Sequence, residues 1–86
     1  MPADRHIDLI IVVSGVPQQV RINQREPVSH AVREALRASG NPGQPPEDFE
    51  LRNEDGALLD LSVRAEQAGL TDGMTLFLNP RAGVGG

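Results

Sequence analysis

The 86-residue sequence contains no cysteine, no lysine, no tryptophan and no tyrosine, and two phenylalanines are its whole aromatic content. Without cysteine there is no disulfide, no thiolate metal site and no thiol nucleophile. Two isolated histidines, His6 and His30, fall short of a metal ligand set, and no metal site is expected. The net charge of −4 argues against nucleic acid, whose phosphates call for a basic surface. No apolar run approaches the roughly 18 residues of a membrane span. The longest, Leu9-Ile10-Ile11-Val12-Val13, has the length of a strand. Residues 1–6 lack the basic start and long apolar stretch of a signal peptide, so a cytoplasmic location is expected. The chain also has no paired carboxylates in an apolar setting, no nucleophile beside a base and no phosphate-cradling loop ahead of a helix. A protein that is not an enzyme and needs no cofactor is the expectation.

What remains is a patterned chain of one small domain's length. Ile7, Leu9, Ile11 and Val13 alternate with Asp8, Ile10, Val12 and Ser14, the period of a strand with one strongly apolar face. Gly15-Val16-Pro17 reads as a turn and Gln18 to Ile22 as a second strand, which together make an antiparallel hairpin. From Pro27 the period lengthens. Val28, Ala31, Val32, Ala35 and Leu36 form one apolar stripe on a helix, with Pro27 suited to its first turn and Gly40 to its stop. Asn41 to Pro46 is a stiff, proline-rich connector. Phe49 and Leu51 alternate with Glu50 and Arg52 as a short third strand, followed by the turn Asn53-Glu54-Asp55-Gly56. Leu58, Leu59 and Leu61 read as a short edge strand or buried segment, Val63 to Ala68 as one helical turn, and Met74 to Asn79 as the last strand. Pro80 ends that strand because it cannot donate to a ladder.

The order β-β-α-β-(short β)-turn-β predicts an α+β fold with a mixed four- to five-stranded sheet packed on one helix. The first and last strands are the most apolar and are expected side by side and parallel at the sheet centre. The predicted core comprises Leu9, Ile11, Val13, Val20 and Ile22 of the hairpin, Val28, Val32 and Leu36 of the helix, and Phe49, Leu51, Leu59, Leu70, Leu76 and Leu78. The expected divisions are a flexible N-terminus over 1–6, a folded domain over 7–79 and a flexible tail over 80–86.

The hairpin from Ile7 to Ile22, the helix from Pro27, the Gly40-Asn41-Pro42-Gly43-Gln44-Pro45-Pro46 turn and the Asp55-Gly56 to Ser62 stretch resemble ubiquitin in order and spacing. So do Gly69 to Leu78 and the terminal Gly85-Gly86. The chain is identified by these features as similar to the ubiquitin-like β-grasp family. It looks most like bacterial ubiquitin-like modifiers encoded with activating-enzyme, conjugating-enzyme and deubiquitinase homologues. The resemblance implies that the Gly86 carboxylate is activated by ATP as an acyl-adenylate. It would then pass to a thiol and finally to an amine or hydroxyl of a target protein. It implies three partners: an adenylating enzyme, a conjugating enzyme and a deubiquitinase-like peptidase. Glycine suits such an end because residues without Cβ thread a narrow cleft.

The resemblance has departures. Ubiquitin's recognition patch is apolar on the outer sheet face, whereas the outward residues of the third strand here are Glu50 and Arg52. Ile10 and Val12 with Phe77 offer a different apolar set for partners. Of ubiquitin's basic tail only Arg81 remains, followed by Ala82, Gly83 and Val84, and Arg81 and Val84 join the expected partner-binding residues. Missing lysine is a mark of GC-rich coding, yet it also denies the chain isopeptide acceptors. Self-linkage is left to the N-terminus or to hydroxyls such as Ser29, Ser39 and Thr71. Two other functions stay open: a sulfur carrier that forms a thiocarboxylate at the same glycine, and a ubiquitin-like interaction domain that is never conjugated.

Overall fold

The computed structural model describes residues 5–82. Strands β1 (His6–Val13) and β2 (Val16–Asn23) form the antiparallel hairpin, helix α1 (Val28–Ala38) follows, and β3 (Phe49–Arg52) and β4 (Thr75–Pro80) complete a four-stranded sheet. The order across the sheet is β2-β1-β4-β3, with β1 and β4 parallel at its centre and antiparallel partners outside them. This is the α+β, ubiquitin-like β-grasp expected: a mixed sheet wrapped on one helix.

The hairpin turn is tighter than its sequence suggests. Val13 pairs with Val16, so the loop is Ser14-Gly15 alone, and both residues have positive φ, 50° and 85°. A two-residue loop with two positive φ values matches the twist of the flanking strands. Val16 and Pro17, read as turn residues, therefore belong to β2. Pro17 is tolerated because β2 is an edge strand and Pro17 faces Val12 next to the hydrogen-bonded closing pair. In the alternating antiparallel ladder that position turns its nitrogen to solvent, so no bond is lost. Pro80 is tolerated on the central strand β4 because it lies two residues past that strand's last pair with β1, Val13 with Leu78. It is the last residue of β4 rather than the first of a tail, and the next amide, that of Arg81, donates to the Asp48 carbonyl at 2.9 Å. Pro80 thus faces Phe49 in a non-bonded pair.

Helix α1 buries Val28, Ala31, Val32, Ala35 and Leu36 against the sheet. Pro27 lies one residue before the helix, with an extended ψ of 152°, rather than within its first turn. Tertiary contact supplies the reason: Pro27 bridges to Arg64, and the segment after residue 60 packs along the helix start. There the Val28 and Ser29 amides, which have no partner inside the helix, donate to the carbonyls of Val63 at 2.8 Å and Leu61 at 2.9 Å. At the other end Gly40 adopts a φ of 86°, its amide donates to Arg37, and the Asn41 amide reaches back to Leu36. These are the paired bonds of a Schellman stop, for which a left-handed glycine is suited.

The core consists of sixteen apolar residues at 0–6 % exposure, drawn from all four strands, the helix, Ala65 and Leu70. It adds Ile7, Ala31, Ala35 and Ala65 to the expected set and leaves Phe49 and Leu59 half-buried at its margin. Phe49 opens an edge strand beside the 3₁₀ turn of Pro46–Asp48, where among the described residues no further strand of the sheet flanks it. Val63 to Ala68 makes one helical bond, from the Ala68 amide to the Arg64 carbonyl, and stops at Gly69 with a φ of 80°. Met74 precedes β4 rather than joining it, though its carbonyl already accepts the Ile10 amide at 3.0 Å.

Candidate functional site

The outer face of the sheet follows directly from strand register. Because side chains alternate with period two, burial of Leu9, Ile11 and Val13 forces Asp8, Ile10 and Val12 outward. On β4 the same alternation buries Leu76 and Leu78 and turns Phe77 out. Val12 is in register with Phe77 on one side and with Pro17 on the other, and Phe77 is in register with Arg52. Arg52 in turn bridges to Leu58. The row Pro17, Val12, Phe77, Arg52 and Leu58 thus crosses the whole sheet, with Ile10 adjoining it between Gln19 and Thr75.

The exposures along this face are graded. Phe77 and Ile10 are each 37 % exposed and Leu58 57 %, while Val12 is half-buried between its neighbours. Arg52 does not interrupt the row with a free charge. Its Nη1 donates to the Gly56 carbonyl at 2.8 Å and its Nη2 to Glu50 Oε1 at 3.2 Å, which leaves the alkyl stem between Phe77 and Leu58. Asp8 and Arg21 close one end of the face as a loose, well-exposed ion pair at 3.9 Å.

The structure therefore brings Ile10, Val12 and Phe77 together on one surface, as expected. It adds Pro17 and Leu58, which sequence reasoning missed. Pro17 was hidden by a misplaced turn. Leu58 stands next to Leu59 in an apolar run with no alternation, so only its bridge to Arg52 reveals that it faces outward. The anticipated absence of an apolar patch around Glu50 and Arg52 is thus partial, because Leu58 supplies apolar surface beside them.

Arg81 lies apart from that row. It is exposed, and its amide bond to Asp48 holds it at the end of β4 near Glu47. The conjugation residues Gly85 and Gly86, and Val84 before them, lie outside the described residues. Asp60 is the titratable group whose carboxyl is held below its usual range. The Ser62 hydroxyl donates to it at 2.6 Å and the Ser62 amide at 2.9 Å, both favouring the ionised form. Among the described residues no group of three or more His, Asp or Glu is arranged to hold a metal ion, and no helix is long and apolar enough to cross a membrane.

Comparison with known proteins adds the following. The profile of a family described as Protein of Unknown function (DUF2604) matches residues 2–86. "Uncharacterized protein y4jI" of Sinorhizobium fredii (strain NBRC 101917 / NGR234) is 42 % identical over 81 residues, which are 93 % of this chain and 62 % of that protein. The chain therefore spans about three-fifths of the length of that curated relative. Among solved structures, a protein designed de novo on the basis of ubiquitin superposes with a TM-score of 0.77 at 21 % identity, covering 94 % of this chain and 95 % of the design. Caldiarchaeum subterraneum ubiquitin gives 0.73 at 24 % identity, over 95 % of this chain and 100 % of the other. The ubiquitin-like domain of an Arabidopsis thaliana protein gives 0.72 at 17 %, over 95 % and 84 %. These likenesses establish the ubiquitin-like fold.

Proposed function

The chain belongs to the DUF2604 family, and we propose that it is a ubiquitin-like protein modifier whose acyl-donor residue is Gly86. In this reading an adenylating enzyme activates the Gly86 carboxylate with ATP, releasing pyrophosphate. A thiol of that enzyme displaces AMP to form a thioester. A conjugating enzyme then delivers the glycyl group to an amine or hydroxyl of a target, and a deubiquitinase-like peptidase removes it.

One observation carries the reading. A ubiquitin-like fold is combined with a Gly85-Gly86 pair that follows Arg81 by a few residues. Residues without Cβ can thread a narrow enzyme cleft that others cannot enter, and Gly85 and Gly86 are of that kind. Ile10, Val12 and Phe77 serve as the partner surface, with Arg81 and Val84 guiding the approach to the cleft. The lack of lysine supports a donor role, because the chain offers no isopeptide acceptors and its own linkage is confined to hydroxyls or an N-terminal amine.

The test is incubation with ATP and the cognate adenylating enzyme, followed by intact mass measurement. An adenylate or thioester adduct that disappears when Gly85 and Gly86 are deleted is the expected result. Replacement of one oxygen by sulfur at the same carboxylate would instead identify a sulfur carrier. Full cellular function of the deletion variant would show an interaction domain that is never conjugated.

A further inference from the structure

The outer edge of β3 carries a second surface that meets the outer-face row at Leu58 and is independent of any chemistry at Gly86. Between β3 and residues 58–62 runs an open groove of about 470 Å³. Its floor is made by Phe49, Leu59 and Leu61, each half-buried and packed on the core, and Leu58 forms its lip at 57 % exposure. The groove is held in shape by backbone bonds. The Leu59 amide donates to the Leu51 carbonyl at 2.8 Å and the Asn53 amide to the Ala57 carbonyl at 3.1 Å, so opening it requires breaking the bridge between Arg52 and Leu58.

Charge is concentrated around this groove. The chain carries −4 overall. Residues 47–60 contain six carboxylates against the single arginine Arg52, whereas the rest of the chain has six carboxylates against seven arginines. The entire negative excess therefore lies in this segment. Glu47, Glu50 and Asp60 reach the groove itself, opposed by Arg81. Glu50 is engaged by Arg52 at 3.2 Å, which leaves Glu47 and Asp60 as the exposed rim charges. Asp60 accepts two bonds from Ser62 that hold its carboxylate in place.

We propose that this groove docks a basic segment of a partner protein, an apolar side chain seated on Phe49, Leu59 and Leu61 with flanking Arg or Lys on Glu47 and Asp60. An apolar floor inside an anionic rim selects this chemistry. Nucleic acid and anionic lipid surfaces are repelled by the rim. A second copy docking through the same face brings like charges together. The preformed shape lowers the ordering cost of binding on this side of the interface, and the rim charges raise the association rate at low salt.

The experiment is selection of a random 12-residue peptide library against the intact chain, followed by titration of the selected synthetic peptides by calorimetry and amide chemical-shift mapping. The expected peptides carry a Leu, Ile, Phe or Met flanked by two or more Arg or Lys, and they perturb Phe49, Leu58, Leu59 and Asp60. Leu58→Asn raises their Kd about tenfold, the loss expected from one partly buried leucine. The double variant Glu47→Gln with Asp60→Asn weakens binding and flattens its salt dependence. All three positions are exposed, so both variants should retain the parent's unfolding midpoint, which serves as the control for folding. The proposal is overturned if no peptide is selected, or if the selected peptides are neutral or acidic. Shifts confined to Ile10, Val12 and Phe77, or unchanged affinity in both variants, overturn it equally.

Discussion

The two faces of the central strand pair both carry large apolar residues, and those residues meet opposite fates. On the inner face Leu9, Ile11, Val13, Leu76 and Leu78 are 0–6 % exposed beneath the helix. On the outer face Ile10, Val12 and Phe77 occupy neighbouring positions of the same strands, and Ile10 and Phe77 remain 37 % exposed. Ile10, Val12 and Phe77 are as apolar as the residues beneath them; what they lack is coverage by α1. An apolar side chain contributes to stability in proportion to the area it removes from water. Equal residues on the two faces should therefore contribute unequally to folding.

The sharpest way to break this contrast is truncation on each side of the sheet. Leu76→Ala should cost about 2–5 kcal/mol, the range for a fully buried leucine leaving a cavity, read as a large fall in the urea midpoint. Gly15→Ala tests the turn that sets which face is which. At a φ of 85° a Cβ is strained, and the cost should be about 1–2 kcal/mol, even though no atom stands within 4 Å of the added carbon. Phe77→Ala should cost about 1 kcal/mol or less, the scale of a cross-strand pair, while abolishing capture of a partner that uses the outer face. A stability loss equal to that of Leu76→Ala would place Phe77 in the core and remove the contrast.

Smaller effects sharpen the margins of the picture. Ser14→Asn should stabilise the hairpin by a few tenths of a kcal/mol, because asparagine tolerates the positive φ that Ser14 already adopts. A lowered melting temperature would count against the two-residue turn. The smallest effect concerns Asp60. Its pKa is depressed by the Ser62 hydroxyl and then by the Ser62 amide, so its contribution is complete above the ordinary carboxylate pKa of about 3.9. That contribution fades as pH falls through the depressed value. Ser62→Ala should raise the Asp60 pKa toward the ordinary value in a carbon-detected NMR titration, with no measurable change of stability at neutral pH. An unmoved titration curve would mean that the hydroxyl does not set the pKa.

Much of the architecture is legible in the chain. The helix stripe from Val28 to Leu36, the alternation through β3 and β4, and the glycines at 15, 40, 56 and 69 each announce their element. The placement of β1 beside β4 follows from their being the two most apolar strands. The site is less legible. Ile10, Val12 and Phe77 could be assigned to the outer face by alternation, but Pro17 and Leu58 could not. Pro17 looks like a turn residue because proline is costly in most strands, and its place at a solvent-facing nitrogen of an edge strand depends on register. Leu58 and Leu59 are adjacent leucines, and a bridge to Arg52 in a different element decides which of them faces out.

By itself the amino-acid sequence determined the period of each element, the positions of its breaks, the concentration of negative charge between residues 47 and 60, and the absence of thiol and lysine chemistry. These are local properties, set by side-chain pattern, backbone freedom and composition. Tertiary structure alone decided which apolar residues are covered, how the start of α1 is capped by the Leu61 and Val63 carbonyls, and how Phe49, Leu58, Leu59 and Leu61 come to line one groove. The reason is that burial and backbone pairing are relations between segments distant in the chain. The same leucine is core or surface according to what the fold lays over it.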